Sequence, residues 1–263
     1  MTATAIVGIA AFGVSLLTLF SGFGLGTLLM PVFALFFPVE VAVASTAVVH
    51  AANNLFKVGL LARGASIDVV LRFGVPAVIA SFCGAIVLTS LSGQSPLASW
   101  SLMGRPAEVT PVKLIMGLLI LGFSLFELIP ALRSVEAPVR WLPLGGALSG
   151  FFGGLSGHQG ALRAVFLTPL GLSPTQFAST QAVLALLVDA ARLLVYGWTL
   201  VGVSGSVGAL PIPWQLVATA TLCAFAGAFL GKRLHPKVTV TALLVVVGVL
   251  LLVVGVALAL GIA

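Results

Sequence analysis

The stretch GGLSGHQGALRAVFLTPLGLSP, residues 153–174, joins a glycine cluster to a histidine, a glutamine, an arginine and a short apolar run. That run, 160–172, is too short for a straight membrane-spanning helix, which needs about 20 apolar residues. Glycine lets a chain leave a helix and turn without a steric clash at Cβ, and Gly171 followed by Pro174 can end the run. The stretch therefore predicts a short helix that begins at a break in an apolar environment.

The chain around this stretch is strongly apolar. Of its 263 residues, 60% are hydrophobic and only 7% are charged, whereas a soluble domain carries roughly 25% charged residues. Apolar segments recur along the whole length, without the roughly 10-residue alternating segments typical of membrane β-barrels. The composition predicts an all-α polytopic membrane protein. The net charge of +6 fits loop residues that set topology and does not indicate a nucleic-acid partner.

A second short apolar run indicates an internal repeat. This run, 26–37, follows the glycine cluster SGFGLG. Its first residue precedes the Ser-Thr pair at 45–46 by the same interval that separates Gly160 from the pair at 179–180. Self-similarity of this kind is the mark of a duplicated unit.

The duplication predicts two homologous transmembrane repeats, 1–132 and 138–263, joined by the charged linker RSVEAPVR. Lys and Arg are distributed unevenly over the loops, and the positive-inside rule is satisfied best when the second repeat is inverted relative to the first. We expect about eight full spans and two short broken or re-entrant helices. The longest polar stretch, roughly 92–110, is expected to be a loop.

Paired broken helices from two repeats are the architecture of substrate sites in secondary transporters. Each half-helix presents free backbone N–H groups and the positive end of its dipole, which favours an anion. The alternative is that the glycines only allow close helix packing. On the first interpretation the substrate-binding residues are Gly24, Gly26, Thr27, Asn53, Asn54, His158, Gln159, Gly160 and Arg163.

Ionisable residues inside the apolar segments are functional candidates, because burying charge in hydrocarbon is costly. Arg163 offers a fork of donors suited to carboxylate, sulfonate or phosphate oxygens, or it bonds free carbonyls or Asp189. The candidates for proton coupling or gating are His50, Lys57, His158, Asp189 and Arg192. Three cations in these segments face the single acid Asp189, which favours an anionic ligand.

Structural roles are the alternatives for these ionisable residues. Asp189 and Arg192 lie at i,i+3 on one predicted helix and can simply pair with each other. His158 can be a hydrogen-bonded structural group, and Lys57 can extend to the membrane interface.

No sequence feature indicates a cofactor or an enzyme. No cluster of Cys, His and Asp has the spacing of a metal site, no P-loop is present, and no nucleophile lies at catalytic spacing from a base. We therefore expect no cofactor, no metal site and no catalytic residue. A membrane-embedded enzyme that uses His158 or Asp189 is the less favoured alternative.

The stretches FSGFGLGTLLMPVFALFFPVEVAVAST (20–46) and GGLSGHQGALRAVFLTPLGLSPTQFAST (153–180) resemble the glycine-rich motifs of the sulfite exporter TauE/SafE family. This family is also described as toluene-sulfonate uptake permeases, and the resemblance extends over essentially the whole chain. It implies transport of sulfite, organosulfonates or related sulfur-containing anions across the bacterial inner (plasma) membrane.

Together with this resemblance, the residues predict a proton-coupled secondary transporter of a small anion. Backbone N–H groups near 24–27 and 160–162 would hold the oxygens of the anion, while Gln159 and Arg163 fix its charged end. The expected partners are the anionic substrate and the lipid bilayer, and a homodimer is compatible with the sequence. The alternatives are an anion channel and a transporter of a non-sulfur carboxylate.

Overall fold

A computed structural model gives the structure of the chain and describes residues 3–18, 24–61, 64–102, 104–133, 135–199, 212–233 and 240–262. Its α-helices are α1 (Ala3–Leu17), α2 (Leu25–Ala34), α3 (Val39–Leu61), α4 (Ile67–Val69), α5 (Val75–Leu91), α6 (Pro111–Leu128), α7 (Pro130–Arg133), α8 (Leu142–Ser156), α9 (Gly160–Leu167), α10 (Pro174–Thr199), α11 (Trp214–Arg233) and α12 (Val240–Ala259). A π-helical turn joins α4 to α5, and a 3-10 turn extends α9; these turns are Val70–Gly74 and Thr168–Leu170.

Several of these helices are long and apolar enough to cross a membrane. In the described ranges they are Ile67–Leu91, Pro111–Leu128, Pro174–Thr199 and Trp214–Arg233. Leu194 and Leu222 are each 67% exposed on two of these helices, as expected for side chains that face lipid rather than a protein core. The predicted helical membrane class is confirmed, and the inverted topology and the eight full spans stay predictions.

The break predicted within residues 153–174 is present. α8 ends at Gly157, whose φ of +82° is a left-handed conformation that favours glycine, and α9 begins three residues later. Gly171, with a φ of +62°, closes the 3-10 turn after α9. The chain then enters α10 through a capping box, in which Ser173 and Gln176 exchange side-chain to backbone hydrogen bonds of 3.2 and 3.3 Å.

The corresponding break in the first half falls partly on 19–23, which lie outside the described residues. After it, Gly24 has a φ of +124° and α2 begins at the next residue. Every residue of α2 is buried. The short helices α2 and α9 therefore both begin inside the protein.

The polar stretch 92–110, expected to be a loop, contains a β-hairpin. Strand β1 (Ala98–Leu102) pairs antiparallel with β2 (Arg105–Val109), and Gly104 between them has a φ of +78°. Trp100 Nε1 donates to the carbonyl of Leu260 at 3.0 Å, just after α12. The hairpin was missed because its strands are short and lack a long alternating pattern.

The pattern of contacts between helices stays the same when each helix of one half is replaced by its counterpart in the other half. α5 packs on α8 and α11 packs on α1, while α3 packs on α10 and α6 packs on α12. The glycine contacts repeat in the same way: a Cβ at Gly84 of α5 would overlap the carbonyl oxygen of Phe151 of α8, and a Cβ at Gly227 of α11 would overlap that of Phe12 of α1. This pattern agrees with the predicted repeats, which stay a prediction.

Three glycines at four-residue spacing bring α8 into backbone contact with its neighbour. A Cβ on any of them would overlap a carbonyl oxygen that belongs to the π-helical turn or to α5. The contacts are Gly146 on Phe73, Gly150 on Ala77, and Gly154 on Ser81. Small residues at such spacing let membrane helices approach closely.

We expect Gly150→Ala to destabilise the protein, because the added Cβ meets the backbone of Ala77, which cannot move without the whole helix. Overpacking of this kind typically costs about 1–3 kcal/mol. Gly122→Ala is the matched control, since a Cβ at Gly122 has open space around it. Thermal unfolding of the detergent-purified variants measures the difference, and equal melting temperatures would contradict the packing role.

Candidate functional site

The two short helices begin at the same small buried cavity. The cavity is lined by Gly24, Gly26, Thr27, His50, Gly157, Gln159, Gly160 and Arg163. Its empty volume is about 220 Å³, but only about 10 Å³ can hold the centre of a water molecule, roughly the space of one water. The cavity is therefore a narrow space at the start of both short helices.

Both helix ends at the cavity are positive poles. The first main-chain hydrogen bond of α2 is donated by Leu28 to Gly24 at 2.9 Å, and that of α9 by Arg163 to Gln159 at 3.1 Å. The N–H groups just before these donors have no acceptor within their own helix. Together with the positive ends of the two helix dipoles, they make the cavity favourable for an anion.

Arg163 is 1% exposed, and two of its three guanidinium nitrogens have no hydrogen-bond partner among the described residues. Its Nη1 donates to the backbone carbonyl and to the side-chain Oε1 of Gln181, at 2.8 and 3.0 Å. Among the described residues, no hydrogen-bond acceptor lies at its Nε or Nη2. These two atoms form one edge, and that edge is a fork that matches two oxygens of an oxyanion. An unpaired buried donor is costly, so this edge points to a ligand.

Asp189 is fully buried and accepts hydrogen bonds from several side chains. Its Oδ2 lies 2.7 Å from His50 Nδ1 and 3.0 Å from Asn54 Nδ2. Its Oδ1 accepts from Arg192 Nη2 at 2.7 Å and from Nε at 3.1 Å. Gln159 Nε2 is farther away, at 3.5 Å from Oδ1. The predicted contact of Asp189 with Arg192 is present, and the carboxylate also ties α3 and the start of α9 to α10.

His50 connects this carboxylate to the cavity. An ionised carboxylate only accepts, so the 2.7 Å contact with Asp189 requires His50 Nδ1 to donate. The other ring nitrogen, Nε2, lies against the start of α2, because a Cβ at Gly26 would be 3.3 Å from it. Gln159 makes a second connection, since it lines the cavity and also reaches Asp189. Two side chains thus link Asp189 with any ion in the cavity.

Asn53 and His158, both predicted to bind substrate, are not among the residues that line the cavity. Asn53 Oδ1 accepts a hydrogen bond of 3.3 Å from Ser15 of α1. The His158 ring stacks on Phe123 of α6 with centroids 5.4 Å apart, and its Nδ1 lies 3.2 Å from the carbonyl oxygen of Ser156. Asn53 thus contacts α1, and His158, which lies in the break between α8 and α9, contacts α6. The assignment of both residues to substrate binding stays a prediction.

Two further buried charges lie outside the cavity lining. Lys57 is 6% exposed on the same helix as His50, so it does not extend freely into the solvent. Glu127 of α6 is 2% exposed, and the expectation of a single buried acid is therefore wrong. Across the ranges that the structure describes, no group of three or more His, Cys, Asp or Glu side chains could hold a metal ion.

Gln181 and Gly157 belong to the site although the sequence does not single them out. Gln181 is fully buried and directly follows the repeated Ser-Thr pair, where the first half has Ala47. That difference between the repeats is the one sequence signal for it. A Cβ at Gly157 would lie 2.7 Å from Arg192 Nη1, so glycine here both turns the chain and leaves room for the guanidinium.

We expect Asp189→Leu to destabilise the protein by about 3–5 kcal/mol, because it leaves Arg192 and the other donors buried without their acceptor. Asp189→Asn, which keeps an acceptor oxygen, should cost less. Asp68→Leu is the control, since Asp68 is an exposed partner of Arg72 at 3.4 Å and such pairs contribute about 0–1 kcal/mol. Unfolding measurements that give Asp189→Leu and Asp68→Leu the same stability would contradict the assignment.

Comparison with protein-family models matches residues 7–258 to the model described as "Sulfite exporter TauE/SafE". No curated protein and no solved structure matches the chain significantly. The matched region includes both short helices, the cavity and the helices that surround it. The resemblance of the two glycine-rich stretches is thereby confirmed, and the chain belongs to the sulfite exporter TauE/SafE family.

Proposed function

We propose that this protein is a secondary transporter that moves a small oxyanion, sulfite or an organosulfonate, across the bacterial inner membrane as a multi-pass protein. The observation that carries the proposal is the edge of Arg163 that has no partner among the described residues, in a cavity where two helix N-termini meet. The family membership supports a transporter of sulfur-containing anions.

The charges around the cavity favour an anion over a cation or a neutral ligand. Arg192 is compensated by Asp189, with which it makes two short hydrogen bonds. Arg163 makes no such ion pair in the described part of the chain. Its charge and the two helix dipoles thus act on the cavity together. Sulfite, sulfonates and carboxylates can all accept two hydrogen bonds from the free edge of an arginine. Direct binding measurements therefore have to show which of these anions the cavity prefers.

The small size of the cavity favours a carrier over a channel. Its present space holds about one water molecule, so an oxyanion can bind only when the lining groups move apart. The exchange symmetry of the helix pairs supports two related repeats, and movement of one repeat against the other around a central site is how such transporters alternate access. A channel would instead conduct without a binding step that saturates.

We expect Arg163→Ala to abolish anion binding and transport, and Arg163→Lys to retain weak binding, because lysine keeps the charge but lacks the fork. Arg72→Ala is the control, since Arg72 is an exposed arginine in the π-helical turn between α4 and α5 and does not line the cavity. Thermal-shift titration with sulfite, methanesulfonate, sulfate, acetate and phosphate measures binding through stabilisation of the folded state. Counterflow in proteoliposomes separates carrier from channel, and unchanged affinity in Arg163→Ala would contradict the site.

We further propose that the His50–Asp189 pair takes up the coupled proton. In the unprotonated pair, Asp189 holds His50 and Gln159, which both line the cavity. Uptake of one proton adds positive charge beside the cavity and releases donors to a bound anion. Proton and anion then stabilise each other's binding, and by linkage the effect is reciprocal. Because each ligand strengthens the binding of the other, the proton and the anion are expected to move across the membrane in the same direction.

The predicted pH dependence follows from this coupling. The charged and titratable groups near Asp189 are His50 and Lys57 on α3, Arg163 on α9, and Arg192 and Tyr196 on α10. We expect affinity for methanesulfonate, whose own charge is constant near neutral pH, to rise as pH falls, by at most about tenfold per pH unit for one proton. Asp189→Asn should bind more tightly at high pH and lose this dependence.

Asp68→Asn is the control for the coupling test, because Asp68 is exposed on α4. The pH slope of this variant should equal that of the unmodified protein. A slope that persists in Asp189→Asn would assign the proton to another group, and an affinity that falls as pH falls would reverse the direction of coupling.

A further inference from the structure

We infer that Gln181 is a positioning residue that turns Arg163 from a point charge into a two-donor clamp, and that it thereby sets the preference of the cavity for anions with two adjacent oxygens. This inference rests on the proposed function of the same cavity. It assigns a role to a residue that accepts hydrogen bonds from the arginine and does not line the cavity itself.

Gln181 occupies the whole of one terminal nitrogen of Arg163. Nη1 carries two hydrogens, and two acceptors of Gln181, its backbone carbonyl and its Oε1, lie 2.8 and 3.0 Å away. Both acceptors belong to one residue of α10, so they hold the guanidinium plane relative to that helix. The edge that remains, Nε and Nη2, is the edge with two parallel N–H groups. Gln181 therefore determines that the Nε–Nη2 edge of the arginine is the edge available to a ligand.

The amide group suits this role because it is an acceptor without charge. The guanidinium has donors only, which fixes the amide with Oε1 toward Nη1. Its Nε2 then has no partner among the residues that the structure describes. A carboxylate at the same place would hold Arg163 equally well, but it would also neutralise the charge that attracts the anion. A hydrocarbon side chain would leave only the backbone carbonyl and let the guanidinium rotate.

Selectivity follows from the fixed orientation. An oxyanion accepts one hydrogen bond on each of two oxygens, and both bonds are lost or weakened when the fork rotates away. A linear or monatomic anion such as thiocyanate or chloride gains less from the parallel pair, since it offers one acceptor atom to the fork. Loosening of Arg163 should therefore cost an oxyanion more affinity than it costs these ions.

The experiment combines two substitutions of Gln181 with Arg163→Lys. Affinities for sulfite, methanesulfonate and thiocyanate are measured by titration of detergent-purified protein at one pH. We expect Gln181→Met to weaken sulfite and methanesulfonate binding about tenfold, which corresponds to about 1.4 kcal/mol, and to weaken thiocyanate binding less. In the Arg163→Lys background, where no fork exists to be oriented, Gln181→Met should change the affinity for methanesulfonate by less than about twofold.

Gln181→Glu tests the charge argument. It should reduce oxyanion binding as strongly as Arg163→Ala does while the melting temperature stays unchanged or rises, because the new carboxylate pairs with Arg163. Gln176→Glu is the matched control: Gln176 lies on the same helix, is exposed, and acts in a capping box where glutamate serves equally well. It should leave binding unchanged.

The outcomes separate the two proposals. Absence of oxyanion binding by the unmodified protein would overturn the proposed function. Binding by the unmodified protein, combined with equal losses for Gln181→Met in the arginine and lysine backgrounds, would overturn the positioning role alone, since a purely structural residue acts in both. If Gln181→Glu does not fold, the double-mutant cycle of Gln181→Met with Arg163→Lys still tests the positioning role of Gln181.

Discussion

The buried carboxylate of Asp189 holds two of the polar side chains that line the cavity, those of His50 and Gln159. A carboxylate leaves water only when cations and hydrogen-bond donors surround it. Here those donors come from α3, from α10 and from the turn before α9. The carboxylate thereby fixes the positions of these elements relative to one another. Because Arg192 and His50 satisfy Asp189, Arg163 does not have to pair with the protein's own acid. Among the described residues, the unpaired edge of Arg163 is therefore a consequence of the pairing of Asp189 with Arg192 and His50.

Glycine serves both purposes that the sequence left as alternatives. On one face of α8, glycines allow backbone contact with α5. At the end of the same helix, Gly157 turns the chain with a positive φ and leaves space for the guanidinium of Arg192. A Cβ at Gly26 of α2 would lie 3.3 Å from the carbonyl oxygen of Gly157 and 3.3 Å from the ring of His50. The break, the ion pair and the packing of the helices therefore depend on each other.

Features that depend on local chemistry were predictable from the sequence, and features that depend on distant partners were not. The glycine clusters and the apolar runs after them predicted the two short helices α2 and α9. The side of a helix that faces the cavity is different, because neighbouring helices set the rotation. Asn54 rather than Asn53 reaches Asp189, across 135 residues of chain. Gln181 is an ordinary amide in the sequence, and only its contact with Arg163 reveals a role.

The side chains that would recognise the ion and the glycines that hold the helices together are different sets of positions. Arg163 and Gln181 both lie in the second half, and neither contributes to the backbone contacts made by Gly84 and Gly227. Mutation can therefore alter what is carried through a few positions between 159 and 181 while the scaffold keeps its margin of stability. Selection can act on cargo and on architecture separately because, of the two glycine clusters at 21–26 and 153–160, only the second contains or directly precedes ionisable side chains.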